Sequence, residues 1–399
     1  MKRFVIFALL LSTLLSLPLQ ADDMEYRRSS IYSIMIKHRK QPFADDISEA
    51  FNTLPVPDKY NCHDLSVKVV STDEKKLDDS VQISDFLTRN AVASRLVARW
   101  FNRDAVTGRC DMELVKERGL YNASEFDKQM AKYSARGNAL LEDAGEELIG
   151  NTFVIVNDIR YIDRSKGSSV LGTLLRFAGA AASIAIGKNF TGAVDKLASM
   201  SESYKGFKVK IHTYLYKLVW DEASSTRFYQ SCYSDGTNDV NVENFEKMRS
   251  SFRLQFVGEQ ESSGSNVSFL GIREDEPLKM VRKACQRALD ENVANLQRNF
   301  DVFKVKVPLL SAEPITAEAG MKEGMTKNSK YEVLEKIETE DGRTVYRRVG
   351  TVVPEEGKIW DNRYMAKEEK AEGADLKYTT FRKQSGGPFH RGMLIREIR

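Results

Sequence analysis

The spacing of apolar residues changes at Asn151 from the period of a helix to the period of a strand. Before this point, Phe86, Leu96 and Trp100 lie on one side of a predicted helix, and a second helix follows. After it, the run Thr152–Tyr161 is apolar on both faces at its start, which is typical of a strand covered on two sides. The chain is therefore expected to combine helices with a buried sheet.

The strands that follow predict an antiparallel arrangement. Alternating apolar residues indicate a strand at 207–215, which we expect to pair as a hairpin with a strand at 227–233. Another strand is predicted at 252–257, and Pro277 begins a long amphipathic helix. Helices with a mixed, largely antiparallel sheet predict the α+β class.

The C-terminal part has a different pattern. After a predicted linker at 311–314, short strands are separated by glycine and aspartate turns, and Asp341-Gly342 is the strongest hairpin signal in the chain. Many short strands at close spacing predict a small β-barrel.

The first 21 residues have the pattern of an export signal. Lys2 and Arg3 precede an apolar run, and Ala21 ends a small-residue cleavage site. The run is shorter than the ~20 residues that span a bilayer, and no cysteine lies near the cleavage point. We expect an exported protein, periplasmic or associated with the outer membrane, without a lipid at the cleavage site.

The chain divides into predicted segments. Pro55 and Pro57 forbid a continuous helix after the signal, so this stretch is expected to cover a domain rather than form one. The segments are a signal peptide at 1–21, an irregular covering segment at 22–80, an α+β domain at 81–310 with an apolar insertion at 165–205, and a small β-barrel at 315–399.

Charge and motifs argue against several functions. Export would remove Lys2 and Arg3 and leave 58 basic and 57 acidic residues, so a nucleic-acid partner is not expected. The histidines are isolated in sequence, and nucleophile elbows, phosphate-binding glycine loops and dinucleotide fingerprints are missing. We predict no catalytic, cofactor or metal site. A hydrolase whose residues meet only in space is an alternative.

Four cysteines are candidates for disulfide bonds, since an oxidising compartment favours pairing of an even number. Proximity in sequence favours Cys62 with Cys110 and Cys232 with Cys285, each closing a loop of about 50 residues. Buried free thiols are the alternative.

An apolar segment at 170–187 interrupts the predicted sheet. Its small and aliphatic residues suit close helix contacts or membrane insertion, whereas Arg176 disfavours a membrane span. A helical insertion that covers the domain core is the alternative. The candidate residues for membrane contact or self-association are Val170, Leu171, Leu174, Leu175, Phe177, Ile184 and Ile186.

Aromatic residues mark a candidate contact surface. Tyr214, Tyr216 and Trp220 lie on the strand face opposite Phe207 and Val209. If no helix covers that face, the aromatic residues form a contact surface, and if one does, they belong to the core.

Two stretches resemble known families. The segment 106–121, the following helix and the strand at 148–156 resemble envelope assembly proteins related to the curli-secretion lipoprotein, although the lipid-bearing cysteine is missing. The motifs at 320–325, 331–333, 348–350 and 392–393 resemble the SH3-like barrel that ends flagellar assembly protein T. Most of the chain is also similar to uncharacterised secreted proteins of Bacteroides-like bacteria.

The sequence thus predicts a non-enzymatic assembly or scaffold protein of the cell envelope. Its expected partners are another envelope protein or a second copy of itself. An oligomeric, membrane-inserting component that uses residues 170–187 is the first alternative, and the hydrolase is the second.

Overall fold

The fold is described from a computed structural model of the chain. The structure describes residues 26–72, 79–123, 128, 131–133, 135–162, 207–236, 242–265, 277–339 and 344–398. The predicted signal peptide and the apolar insertion at 165–205, including the candidate segment 170–187, lie outside these residues.

A mixed sheet forms the centre of the larger domain, with strand order β2-β1-β4-β5-β6 and β3 also paired with β1. The strands are β1 (Ser30–His38), β2 (Asn61–Cys62), β3 (Val69–Thr72), β4 (Thr152–Tyr161), β5 (Lys208–Leu218) and β6 (Leu254–Ser265). β1 runs parallel to β2, β3 and β4, whereas β4, β5 and β6 are antiparallel neighbours. The predicted α+β class is confirmed.

Helices cover both faces of this sheet. One face packs against α2 (Ser80–Arg89), α3 (Val92–Trp100), α4 (Glu113–Gly119), α5 (Ala135–Ile149), α6 (Glu222–Ser231) and α7 (Val242–Lys247). The other face packs against α1 (Ala44–Asn52) and α8 (Pro277–Asn299). Because helices cover both faces of the sheet, the side chains on both faces of strand Thr152–Tyr161 are buried over most of its length, and the strand lacks a polar face there.

Within the predicted covering segment at 22–80, residues 26–72 are described, and they are not the irregular cover that their sequence suggested. Ser30–His38 is an interior strand of the sheet, and Ile31, Ile34 and Met35 are buried in its core. Pro55 and Pro57 interrupt only the short connection after α1. This part of the chain therefore belongs to the larger domain.

The predicted strand at 227–233 is also wrong, because Glu222–Ser231 is a helix. The Asp221 carboxylate accepts a hydrogen bond of 2.8 Å from the backbone N–H of Ser224 and so caps the first turn. Phe228 packs inside an aromatic cluster with Phe101 and Trp220. The expected hairpin is consequently absent, and β5 pairs with β4 and β6 instead.

The C-terminal strands close into a six-stranded antiparallel barrel of order β10-β11-β8-β7-β12-β9. They are β7 (Val307–Ala312), β8 (Ile315–Ala317), β9 (Lys330–Glu338), β10 (Thr344–Pro354), β11 (Thr379–Gly386) and β12 (Leu394–Ile398). The barrel begins at Val307 instead of 315, since the expected linker is the turn between β7 and β8. β9 and β10 pair as predicted, while Asp341-Gly342 itself lies outside the described residues. The SH3-like character of the barrel stays a prediction.

Candidate functional site

A cleft of about 620 Å³ lies where the two domains meet. One wall comes from the segment before β1 and from the connection between α1 and β2. The other wall comes from β7 and from the long connection between β10 and β11. Its charged and aromatic lining residues are Tyr26, Arg27, Asp58, Lys59, Glu318, Trp360, Asp361, Arg363, Lys367 and Glu368.

Ion pairs on α8 hold the two walls in position. Arg287 on α8 donates to the Glu369 carboxylate at 2.6 Å and to the Tyr364 carbonyl oxygen at 3.2 Å. Lys283, which is completely buried on the same helix, also pairs with Glu369. Because Glu369 and Tyr364 belong to the β10–β11 connection, these contacts fasten the barrel wall of the cleft to the larger domain.

A second set of contacts joins the domains on other sides. Lys322 Nζ lies 3.0 Å from Asp58 Oδ2, which places a cleft carboxylate beside the barrel. The hydroxyl groups of Tyr26 and Tyr346 are 2.6 Å apart, so the segment before β1 also contacts the barrel. Several separated attachments make relative domain rotation costly, and the cleft is preformed.

Trp360 lies in the barrel wall of the cleft, and hydrogen bonds fix both its backbone N–H and its backbone carbonyl group. Its N–H donates to Thr379 Oγ1 at 2.9 Å, and its carbonyl oxygen accepts from the N–H of Met321 at 3.0 Å. A methyl group on Gly320 would lie 2.2 Å from that carbonyl oxygen, so only glycine permits this close approach. The partly exposed indole is thereby held at the cleft surface, where it offers an apolar face with a polar edge.

Asp361 is buried beside Trp360 and forms a two-point ion pair. Arg363 Nε and Nη2 lie 2.9 Å and 2.7 Å from the two Asp361 carboxylate oxygens. Burial alone would raise the pKa of this carboxyl, but the bonds from Arg363 outweigh it, and the pKa lies below its ordinary value. Asp361 therefore stays ionised at neutral pH and positions Arg363, rather than supplying a proton for acid catalysis.

The described lining of the cleft carries both signs of charge in equal number: four basic residues face four acidic ones. Two of the carboxylates, Asp58 and Asp361, are already engaged with Lys322 and Arg363. Among the described residues, no group of three or more His, Cys, Asp or Glu side chains is placed to hold a metal ion. The lining suits a mixed polar and apolar ligand held by many weak contacts.

The aromatic stripe of β5 is not a contact surface. Tyr214 and Tyr216 are buried at 0% and 1% exposure, because α2 and α3 cover that face of the sheet, and Trp220 is half-buried in the same core. The Tyr216 hydroxyl donates to the Ser80 carbonyl oxygen at 2.8 Å at the start of α2. The core alternative is therefore correct.

The four cysteines are free thiols in the structure, so the predicted disulfide bonds are absent from it. Cys232 lies in the core on one face of the sheet and Cys285 in the core on the other, which keeps these two apart. Cys62 is exposed on strand β2, whereas Cys110 is buried with its backbone N–H bound to Ser234. The sheet therefore lies between the two members of the predicted Cys232–Cys285 pair, whereas the pairing of Cys62 with Cys110 stays a prediction.

The candidate membrane residues between 170 and 187 lie outside the described residues. In the part of the chain that the structure describes, no helix combines the length and apolar character needed to cross a membrane.

The periodicity and the motifs of the sequence did not identify the residues that line the cleft. Trp360, Arg363 and Lys367 lie in a connection without helical or strand periodicity, and the cleft forms only when the barrel packs on α8. A tryptophan among charged residues in a polar loop was the available signal, since such residues are more often used for contacts than for packing.

No protein-family model matches this chain, and no curated protein matches it either. The resemblances to envelope assembly proteins, to the flagellar barrel and to secreted proteins of Bacteroides-like bacteria stay predictions.

Proposed function

We propose that this chain is a non-enzymatic assembly or scaffold protein of the cell envelope and that the cleft binds an extended polypeptide segment of another envelope protein. The observation that carries the proposal is the preformed interdomain cleft with balanced charge. Export remains the prediction on which the envelope location depends.

The shape and chemistry of the cleft favour a polypeptide over a small substrate. It is open along the domain junction and lined by separated charges, by Trp360 and by the apolar residues Val307, Pro308 and Leu310. A peptide carries both signs of charge, apolar side chains and backbone groups, so it can match such a lining at several points.

The state of two of the four acidic residues in the cleft supports binding over hydrolysis. General acid catalysis needs a carboxyl whose pKa approaches the working pH. The Asp361 pKa is lowered instead, and Asp58 is paired with Lys322. The membrane-inserting alternative and the hydrolase alternative stay predictions without a supporting observation in the described residues.

Site-specific photo-cross-linking in cells tests this proposal. A photoreactive amino acid replaces the exposed Lys367 in the cleft, and the cross-linked partner is identified by mass spectrometry. The matched control carries the same amino acid at Val106, which is 84% exposed and outside the cleft lining. We expect one defined envelope protein to be captured from position 367 and not from position 106.

A Trp360→Ala substitution is added to the protein that carries the photoreactive amino acid at position 367. This variant tests whether the captured protein binds specifically in the cleft. We expect at least a fivefold loss of the cross-linked product at unchanged protein level, because the indole is the largest apolar contact in the cleft. Equal capture from both positions, or capture that is insensitive to Trp360→Ala, would refute binding in this cleft.

A further inference from the structure

A second cleft, of about 250 Å³, adjoins the first and is strongly basic. Tyr26 and Lys59 line both clefts, but the second one extends toward the start of β1 and the connection before β7. Its charged lining residues are Arg28, Lys59, Lys217, Asp301, Lys304 and Lys306. Among the described residues, five cations thus face one carboxylate in this cleft.

That carboxylate does not neutralise the cleft. Asp301 is 83% exposed and pairs with Lys304 at 2.7 Å, three residues along the chain. Lys59, Lys217 and Lys306 have no ion-pair partner among the described residues. Arg28 approaches Glu147 only at 3.8 Å, and Glu147 does not line the cleft.

The cations converge from separate parts of the fold. Lys217 projects from β5, Arg28 precedes β1, and Lys306 immediately precedes the barrel. Lys306 Nζ lies 4.4 Å from the centre of the Tyr346 ring, and the Arg28 guanidinium carbon lies 5.5 Å from it. One aromatic ring therefore holds two like charges near each other, which is unfavourable unless an anion joins them.

The protonation behaviour of the lysines agrees with this geometry. Burial and the nearby Arg28 and Arg396 lower the pKa of Lys306 to about 8. Burial and Arg28 also lower the pKa of Lys217. An anion in the cleft would favour the charged form of both lysines and relieve their mutual repulsion.

We propose that this cleft is a binding site for a phosphate-bearing anion. Lysine ammonium groups act as point charges with three donors each, and phosphate oxygens accept from several directions at once. The volume exceeds what a single phosphate group fills, so the ligand carries a phosphate on a larger body or a second phosphate. Such a ligand is either a soluble phosphorylated compound or the headgroup of an anionic lipid. This site does not depend on peptide binding in the first cleft.

Titration calorimetry of the full chain with inorganic pyrophosphate tests the proposal. We expect one site, with affinity that falls as salt rises. Lys306→Gln and Lys217→Gln should each weaken binding about tenfold or more, since each removes a charge-assisted hydrogen bond. Lys247→Gln is the matched control, because Lys247 is an exposed lysine of α7 that does not line the cleft. Acetate at equal ionic strength should not compete.

Thermal unfolding without ligand provides an independent readout. Lys306→Gln should raise Tm without pyrophosphate, because it removes a desolvated cation that repels Arg28, yet it should reduce the pyrophosphate-induced rise in Tm. A variant that simply misfolds would lower Tm in both conditions. The proposal fails if neither pyrophosphate nor phosphatidylglycerol vesicles bind, or if Lys247→Gln weakens binding as much as Lys306→Gln does.

Flotation with vesicles distinguishes the two sources of phosphate. Binding to phosphatidylglycerol vesicles but not phosphatidylcholine vesicles, lost in Lys306→Gln, identifies a lipid headgroup. Pyrophosphate binding without vesicle binding identifies a soluble phosphorylated ligand. Vesicle binding that Lys306→Gln leaves unchanged, without pyrophosphate binding, overturns the assignment of this cleft.

Discussion

Arg287 Nη2 lies 2.6 Å from Glu369 Oε2, and this contact joins the long helix α8 to the barrel connection that lines the interdomain cleft. Lys283 pairs with the other oxygen of the same carboxylate. Glu369 thus neutralises two cations of α8, one of which is completely buried. Glu369 is therefore a central member of the set of contacts that positions this wall of the cleft.

Glu369→Gln should destabilise the protein and loosen the cleft. The substitution keeps the shape of the side chain but leaves the buried Lys283 ammonium without a counter-charge, which is expected to cost about 3 kcal/mol. Urea unfolding measures the loss. Glu372→Gln, at an exposed position of the same connection, is the control and should change the free energy of unfolding by less than about 0.5 kcal/mol. Equal effects of the two substitutions would show that the ion pair does not fasten the domains.

The contact between a buried arginine and a buried histidine should make part of the folding stability sensitive to acid. Arg118 Nη1 donates to His63 Nδ1 at 2.7 Å, and His63 Nε2 lies 3.0 Å from the Leu96 carbonyl oxygen, to which it donates. The Arg118 guanidinium also stacks on Trp100 at 4.4 Å. This arrangement requires neutral His63, because a proton on Nδ1 would face the guanidinium.

The contribution of His63 to stability should therefore fall as the pH drops below about 6.5. Burial first, and then Arg118, lower the pKa of His63 to about 3 in the folded protein. The unfolded chain takes up this proton near its ordinary pKa, so the stabilisation is complete above ~6.5 and is lost progressively toward pH 3, by at most about 5 kcal/mol. Urea unfolding between pH 4 and pH 7 measures the slope. His63→Gln, which retains an acceptor and a donor, should flatten it, and an unchanged slope would contradict the assignment.

Asp290 should act in the opposite direction. Burial raises the pKa of this α8 carboxyl to about 7, although Lys322 opposes the shift. The folded protein then holds a proton that the unfolded chain releases near pH 4, so the contribution of Asp290 to stability falls as the pH rises from 4 to 7, by at most about 4 kcal/mol.

Asp290→Asn removes this penalty while keeping an acceptor for Gln286 Nε2, which lies 2.8 Å from Asp290 Oδ1. We expect the variant to be more stable than the native protein at pH 8 by a few kcal/mol and nearly equal to it at pH 4. Glu291→Gln, the exposed next residue of the same helix, serves as control. A stability difference that does not change with pH would exclude the titration of Asp290 as its cause.

Local patterns predicted the elements whose period is unambiguous. Thr152–Tyr161 and the helix from Pro277 form as expected, because their apolar residues face cores on defined sides. The segment 227–233 is predicted as the second strand of a hairpin, but a short aromatic run suits a strand or a buried helix equally well. It forms a helix because Asp221 caps the first turn and because Phe228 packs into an aromatic cluster. The rings that Phe228 contacts there come from distant parts of the chain.

The clefts could not be predicted in the same way. Lys217, Lys306 and Arg28 are separated by long stretches of chain and converge only through the pairing of β5 with β4 and the docking of the barrel. Near-neutral overall charge concealed a local excess of cations. Composition describes the whole surface, whereas a binding site depends on which residues the topology brings together.

Thiol labelling should find four free cysteines, only one of them reactive in the folded protein. Cys62 is exposed, whereas Cys110, Cys232 and Cys285 are buried. Burial raises the pKa of Cys285 to about 12 and that of Cys232 to about 11, so their thiolate fractions at neutral pH are very small.

Maleimide labelling of the non-reduced protein, read by intact mass, should add one label in buffer and four in denaturant. Cys62→Ser should abolish labelling in buffer and leave three labels in denaturant. Two labels in denaturant without reductant would instead establish one disulfide bond, and the sheet between Cys232 and Cys285 excludes that pair from forming it.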